Sequence, residues 1–145
     1  MKVEFNNLYV HFVLSTFQRH KLIEERNRDR VEKYITGIVN HLNSKLYAIY
    51  ANSDHVHILI SKSPFISEED LITNIADSSE KFINQNKLAK GVFQWQQSAS
   101  AFSVSKSAID KTCRYILNQP KHHKKVSFEE EYQEFIIYYQ DTLKK

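Results

Sequence analysis

The sequence predicts an α+β fold, a ferredoxin-like (RRM-like) split βαβ antiparallel sheet followed by C-terminal helices. The first observation is the order of the periodic segments, which runs strand, helix, strand, strand, helix, strand and then helices. The second is a pair of apolar runs separated only by a short polar turn, as in an antiparallel hairpin. The third is the length of 145 residues with 41% hydrophobic residues, which fits one domain spanning residues 1–145.

The first half of the chain is expected to supply a strand, a helix and the hairpin. Asn7 to Ser15 is rich in aromatic and β-branched residues, which favour a strand. From Ile23 to Ser44, apolar residues recur at three- and four-residue spacing, which predicts an amphipathic helix. Lys45 to Ala51 and His55 to Ser61 are strand-like runs, and the polar turn 52–54 predicts that they pair antiparallel.

The next segment opens with a helix whose start is marked by a capping residue. Ser67 precedes three acidic residues in the first turn, and this pattern predicts a helix that runs to about Asn86. Two short strand-like pieces follow, at Val92 to Gln96 and at Ala101 to Val104. The second half therefore contributes strand pieces beside a second helix.

Two helices are predicted near the C-terminus. Ser107, with Asp110 three residues later, resembles a capping arrangement that opens the first of them. That helix should stop at Gln119, because Pro120 cannot continue it. A fuller capping box at Ser127–Glu130 opens the last helix. Its apolar side consists of Tyr132, Phe135, Ile136 and Tyr139.

Composition excludes several classes of protein. A single cysteine, Cys113, rules out a disulfide framework and a cysteine zinc cluster, and it fits a reducing cytoplasm. With only 2 glycines, the chain has no glycine-rich phosphate loop. The longest apolar runs fall far short of the ~18 residues that a membrane span needs, and the N-terminus does not resemble a signal peptide. We therefore expect a cytoplasmic protein without a membrane partner.

The net charge of +3 is mild, but the charges are segregated along the chain. Lys111 to Lys125 is basic and contains no acidic residue, whereas Ile66 to Glu80 is acidic and contains no basic one. A polyanion would therefore meet one face of the protein, although plain solvated helix faces remain the alternative. The candidate DNA-binding residues are Arg114, Lys121, Lys124 and Lys125.

Two histidines in the second strand of the hairpin form a candidate metal site. His55 and His57 flank Val56, and the period of two along a strand places both imidazoles on the same face. Two neutral imidazoles on a rigid strand need only one or two further ligands to hold a cation. By ligand chemistry alone, zinc or manganese is favoured, because magnesium prefers oxygen. The alternative is a pair of surface histidines on a half-exposed sheet.

A second candidate pair lies in the first C-terminal helix. Tyr115 and Gln119 are four residues apart and share one helix face, so a phenol and an amide point the same way. The alternative is a half-buried tyrosine and a solvated glutamine. Trp95 is also open to two interpretations, because it can stack on an unpaired base or pack within the protein.

Taken together, these residues resemble the single-tyrosine HUH transposases of small bacterial insertion sequences, the IS200-like family. The resemblance rests on Ser53–Ile60, which contains the two histidines, and on Tyr115–Gln119. It extends over nearly the whole chain because further segments match in the same order. Those segments are Tyr9–Val13, Phe93–Gln96, Ala101–Ser105, His122–Lys125 and Phe128–Tyr132. The chain departs from the family at Gln97–Ser100, where relatives usually have a glycine-containing turn.

The resemblance implies an enzyme that cleaves and rejoins single-stranded DNA. His55, His57 and the side-chain oxygen of Gln119 would hold a divalent cation, Mg²⁺ or Mn²⁺. Tyr115 would be the catalytic nucleophile and would form a 5′-phosphotyrosine with the DNA. The implied partner is single-stranded DNA with hairpin ends. The resemblance also implies a homodimer, in which the tyrosine helix of one subunit completes the histidine site of the other.

Two other functions remain open on the sequence. A domesticated relative would fold in the same way and hold hairpin DNA or RNA without cutting it. An unrelated metal-dependent hydrolase would use the two histidines, and Tyr115 would then be incidental. A covalent protein–DNA adduct separates the transposase from both alternatives.

Overall fold

The computed structural model describes residues 1–122, 127, 129–134 and 137. Its strands are β1 (Tyr9–Ser15), β2 (Lys45–Ala51), β3 (His55–Ser61) and β4 (Ser100–Val104). Its helices are α1 (Arg28–His41), α2 (Glu68–Gln85), α3 (Ile109–Leu117) and α4 (Gln119–His122), and residues 129–134 are helical as well. The strands form one antiparallel sheet in the order β2-β3-β1-β4, which is the order of the ferredoxin-like split βαβ arrangement. The predicted fold class is confirmed.

The predicted hairpin is present with its predicted bounds. β2 and β3 pair antiparallel, and across the turn the backbone N–H of Asn52 donates to the carbonyl of His55 at 2.8 Å. A register shift interrupts the pairing between Leu46 and Ala48. β1 pairs along the other edge of β3, so β3 lies in the interior of the sheet. Its backbone is therefore held on both sides, which makes it a rigid support for a site.

The sheet separates two layers of side chains. One face carries the main core, which α1 and α2 cover. Its members from β1 and β3 are Val10, Phe12, Leu14, Val56, Ile58 and Ile60. The opposite face carries a smaller cluster beneath α3, formed around Leu59, Val104 and Ile116. Since side chains alternate along a strand, His55 and His57 share this second face with Leu59.

The strand predicted at Val92 to Gln96 is absent from the described structure, where Trp95 makes an isolated bridge to Thr16. Side chains of α2 take the backbone donors that a neighbouring strand would use. The N–H of Phe93 donates to Oδ1 of Asn84 at 2.7 Å. The N–H of Trp95 donates to Oε1 of Glu80 at 2.9 Å. The N–H of Gln96 donates to the carbonyl of Ser15, the last residue of β1, at 2.8 Å. The segment therefore touches the end of β1 but is held by α2 and does not form a regular strand.

The predicted cap of the first C-terminal helix is wrong. A 3₁₀ turn at Lys106–Ala108 precedes α3, and at the N-cap position Ala108 no side chain accepts a capping hydrogen bond. The hydroxyl of Ser107 lies instead 3.1 Å from the hydroxyl of Ser105. The two serines therefore interact with each other before the helix begins.

The predicted end of this helix is wrong by two residues. α3 ends at Leu117, and Asn118 separates it from the short helix α4, which begins at Gln119. Pro120 therefore lies in the first turn of a new helix, where its missing N–H and fixed φ are tolerated. Tyr115 and Gln119 therefore lie on two successive helices and not on one.

The last predicted helix is described in part. The N–H of Glu130 donates to Oγ of Ser127 at 3.3 Å, as the capping box predicts, and residues 129–134 are helical. Tyr132 is half-buried, whereas Phe135, Ile136 and Tyr139 lie outside the described residues. Within the described part of the chain, no helix combines the length and the apolar character that a membrane crossing needs.

Trp95 belongs to the core and is not available for stacking on a base. Its side chain is only 5% exposed, and its Nε1–H donates to Oγ of Ser79 at 3.0 Å. Its ring packs edge-on against the ring of Phe93, with 4.8 Å between the centroids. Packing within the protein is therefore its role in this structure.

We expect Trp95→Ala to lower the free energy of unfolding by about 3–5 kcal/mol, because it leaves a large cavity and removes the donor to Ser79. Urea denaturation followed by circular dichroism measures the loss. Val92→Ala is the matched control, since Val92 is 85% exposed and should change stability by less than about 0.5 kcal/mol. Equal, small effects of the two substitutions would contradict the packing role.

Candidate active site

The face of the sheet beneath α3 brings together side chains from distant parts of the chain. His55 and His57, on β3, are each 1% exposed, so they are not the surface pair that the sequence left open. Their ring centroids lie 5.1 Å apart. Tyr115, on α3, places its ring 5.7 Å from the ring of His57. The histidine pair and the tyrosine therefore form one buried cluster within a single chain.

His55 is oriented by the residue before it. Its Nδ1 lies 2.7 Å from Oδ1 of Asp54, and a carboxylate only accepts, so Nδ1 carries the proton. The lone pair of Nε2 then faces the site, which is the form that a metal ligand needs. The side-chain amide of Asn52 donates to this Nε2 at 3.1 Å. Asp54 therefore selects the ligand-competent tautomer of His55.

His57 lies between another histidine and a carboxylate. Its Nδ1 is 2.9 Å from Nε2 of His11, and its Nε2 is 2.7 Å from Oε1 of Glu131. The same oxygen of Glu131 lies 4.0 Å from Nε2 of His55. One candidate ligand atom from each of His55, His57 and Glu131 lies within 4.8 Å of the other two. Among the residues that the structure describes, these three buried side chains form a cluster that could hold a metal ion.

His11, on β1, stays uncharged beneath this cluster. Burial above all, together with the nearby His57, lowers the pKa of His11 to about 3, although the charge of Glu131 acts in the opposite direction. A neutral imidazole has one donor and one acceptor. If His11 donates to Nδ1 of His57, a neutral His57 carries its proton on Nε2 and donates to Glu131. If His11 accepts from Nδ1 of His57, the Nε2 of His57 has a lone pair and can bind a metal ion.

The hydroxyl of Tyr115 is buried in the same cluster. Burial raises the pKa of Tyr115 above its usual value, and the negative charge of Glu131 raises it further. A hydrogen bond with the side chain of Gln119 lowers this pKa but is outweighed. The phenol is therefore protonated at neutral pH, and its proton must leave when the oxygen reacts.

Gln119 is fully buried beside the cluster, which excludes the solvated glutamine that the sequence left open. Its Oε1 accepts from the side-chain amide of Asn52 at 3.3 Å. Its Nε2 donates to the backbone carbonyl of Tyr115 at 3.4 Å. The side-chain nitrogen of Asn52 therefore bridges Gln119, on α4, and His55, on β3.

Two of the four candidate DNA-binding residues lie in the part of the chain that the structure describes. Arg114 on α3 and Lys121 on α4 are exposed, on the helices that carry Tyr115 and Gln119. Lys124 and Lys125 lie outside the described residues.

Sequence reasoning missed Glu131, His11 and the contacts of Asp54. Glu131 lies in a run of three glutamates, and its neighbours Glu129 and Glu130 are exposed, so nothing local distinguishes it. His11 gave a weak sequence signal, because it is a polar residue among apolar ones in the first predicted strand. In the structure this strand pairs with β3. Both residues join the site through tertiary contacts.

Comparisons with known proteins agree with this architecture. The sequence profile of a family described as "Transposase IS200 like" matches residues 4–119. None of the curated proteins matches the chain. A protein of Deinococcus radiodurans R1, inferred to be a transposase, has a similar structure, with a TM-score of 0.62, 21% identity and coverage of 82% of this chain and 95% of that one. A REP-associated tyrosine transposase bound to a REP hairpin has a TM-score of 0.60, 11% identity and coverage of 87% and 74%.

Proposed function

Because the chain belongs to the IS200-like transposase family, we propose that it cleaves and rejoins single-stranded DNA by metal-dependent transesterification. The observation that carries the proposal is the position of Tyr115 beside His57, in a cluster that also contains His55 and Glu131. A nucleophile and a candidate metal site thus meet on one face of the sheet. We propose that residues 1–145 act as one cytoplasmic HUH-type domain.

The proposed cofactor is Mg²⁺ or Mn²⁺. His55 and His57 would hold it, with the side-chain oxygen of Gln119 as a further ligand. The site fits a cation because ligand atoms of His55 and His57 lie within 4.8 Å of each other and of a carboxylate oxygen of Glu131, and because Asp54 fixes the tautomer of His55. When bound, a divalent cation would polarise a non-bridging oxygen of the scissile phosphate and balance its charge.

Tyr115 supplies the proposed nucleophile. Its Oη attacks the phosphorus of the scissile phosphodiester, and the bond from phosphorus to the 3′ oxygen breaks. The phenol loses one proton and the departing 3′ oxygen gains one, so the step is neutral in protons overall. The products are a 5′-phosphotyrosine and a free 3′-OH. Attack of another 3′-OH on the phosphotyrosine releases Tyr115 and joins the strands. No nucleotide cofactor is needed, because the phosphotyrosine ester retains the energy of the cleaved bond.

The proposed substrate is single-stranded DNA with hairpin ends. One structural neighbour is a REP-associated tyrosine transposase bound to a REP hairpin, which supports this class of partner. Arg114 and Lys121 are exposed next to the site, and phosphate contact is their proposed role. Lys124 and Lys125 are proposed to extend the same contact.

The direct test is to incubate the protein with labelled single-stranded DNA from its genomic flanks and Mg²⁺ or Mn²⁺. We expect a labelled adduct that survives denaturation in SDS. Binding of hairpin DNA without an adduct would favour the non-cleaving relative. Cleavage without an adduct would favour the hydrolase, in which Tyr115 plays no part.

We also propose a homodimer with exchanged tyrosine helices. In the single chain, Tyr115 already contacts its own His57. An exchanged dimer would form the same contact between subunits, with α3 of one chain placed on the sheet of the other. Helix exchange between identical subunits is a low-cost route to a symmetric dimer.

Mixing two inactive variants distinguishes sites shared between subunits from sites within one chain. If sites are shared, a mixture of His57→Ala and Tyr115→Phe should regain about one quarter of the wild-type adduct, because each mixed dimer contains one intact site. The readout is adduct formation after subunit exchange, verified by co-purification of two different tags. A mixture that exchanges but stays inactive would show that each chain builds its own site.

A further inference from the structure

We propose that Glu131 is a ligand of the catalytic cation, together with His55 and His57. The inference rests on the metal-dependent function proposed above and adds to it an anionic ligand from the helical segment 129–134, which follows the tyrosine helix. Glu131 lies outside the residues matched by the family profile, which ends at residue 119. Its assignment depends on the tertiary structure.

The positions of the three side chains fit a shared cation. Oε1 of Glu131 lies 2.7 Å from Nε2 of His57 and 4.0 Å from Nε2 of His55. Ligands at about 2.1 Å from an octahedral ion lie about 3 Å apart when adjacent and about 4 Å apart when opposite. The separations from Glu131 are therefore close to those of one adjacent and one opposite ligand.

Burial and charge favour the same assignment. Glu131 is 1% exposed, and a buried carboxylate is costly unless positive charge or hydrogen bonds compensate for it. Its oxygen faces His57 and His55, the two residues that carry ligand nitrogens into the site. A divalent cation among these atoms would neutralise the carboxylate and accept the lone pairs of both nitrogens in place of their present hydrogen bonds.

Contacts on both sides of Glu131 hold its segment in place. Oε2 of Glu129 lies 3.4 Å from the guanidinium of Arg19. The hydroxyl of Tyr132 hydrogen-bonds the hydroxyl of Ser100, at the start of β4. Segment 129–134 is therefore attached to the end of the sheet. Glu131 lies between these two contacts, and its carboxylate faces His55 and His57.

The ligand set also accounts for the choice of metal. Two imidazoles and one amide oxygen give a neutral ligand set with a single oxygen, whereas magnesium prefers oxygen ligands. The carboxylate of Glu131 supplies such a ligand, so Mg²⁺ and Mn²⁺ become suitable cations. Metal binding would then fasten segment 129–134 to β3 across the site.

The test measures Mn²⁺ binding to the full chain, by calorimetry and by electron paramagnetic resonance of free Mn²⁺. We expect Glu131→Gln to weaken Mn²⁺ binding at least about tenfold, because a neutral amide replaces the anionic ligand. Water proton relaxation should show about one additional water on the bound ion. Glu130→Gln, an exposed neighbour on the same segment, should bind like the wild type.

Each outcome separates this inference from the proposed function. If Glu131→Gln binds Mn²⁺ like the wild type while His57→Ala does not, Glu131 is not a ligand and the metal site stands without it. If the wild type binds no Mn²⁺ or Mg²⁺, the proposed metal dependence fails as well. Should Glu131→Gln not fold, Glu131→Asp keeps the charge on a shorter side chain, and unchanged affinity in that variant would overturn the inference.

Discussion

Tyr115→Phe is expected to abolish the covalent adduct, lowering its rate of formation by roughly 10³-fold or more. The substitution removes only the phenolic oxygen. The ring keeps its packing beside His57 and in the cluster beneath α3, so we expect DNA affinity to change by less than about threefold. Denaturing electrophoresis of labelled DNA measures the adduct, and fluorescence anisotropy measures binding.

Tyr34→Phe is the matched control for this substitution. Tyr34 lies on α1, where its ring stacks on Phe82 at 3.9 Å, on the side of the sheet away from the site. This control should form the adduct at the wild-type rate. An adduct that persists in Tyr115→Phe would identify another nucleophile, and Tyr132, which also reaches this end of the sheet, would be the next residue to replace.

His57→Ala is expected to abolish cleavage, and excess EDTA should have the same effect on the wild type. The substitution should also lower stability, because His57 is buried between His11 and Glu131. Removing its ring leaves a cavity and takes away a hydrogen-bond partner of a buried carboxylate. We expect the free energy of unfolding to fall by about 2–4 kcal/mol. Adduct assays and urea denaturation measure the two effects separately.

His20→Ala is the control for the histidine substitution, because His20 is exposed. It should change neither cleavage nor stability. Since EDTA acts on the folded wild type, it distinguishes loss of the cation from loss of the fold. Undiminished cleavage in excess EDTA would rule out the proposed metal dependence.

The fold of this protein is predictable from local patterns. The hairpin has the bounds that its apolar runs and polar turn predict, because period-two burial and a turn are properties of adjacent residues. The helix after Ser67 likewise begins where a side chain caps it, with Ser67 accepting from the N–H of Asp70. These signals need only a few neighbouring residues, so a single sequence contains them.

Local patterns failed where a distant side chain competes with them. The segment from Val92 to Gln96 has strand-forming residues, but Asn84 and Glu80 of α2 take its backbone donors. The pattern of β-branched and aromatic residues indicates only that a segment fits a pleated surface. Which partner it meets depends on how α2 packs against the sheet.

The same division applies to the site. The sequence by itself determined that His55 and His57 share a face of a strand, because alternation is local, and it singled out Tyr115 and Gln119 by their spacing and their resemblance to a family. Only the tertiary structure decided that Glu131 joins them. Glu131 and His57 are 74 positions apart and in contact, whereas the adjacent Glu130 is exposed. The physical reason is that burial of a charge depends on where its helix docks, and docking is set by contacts from the whole chain.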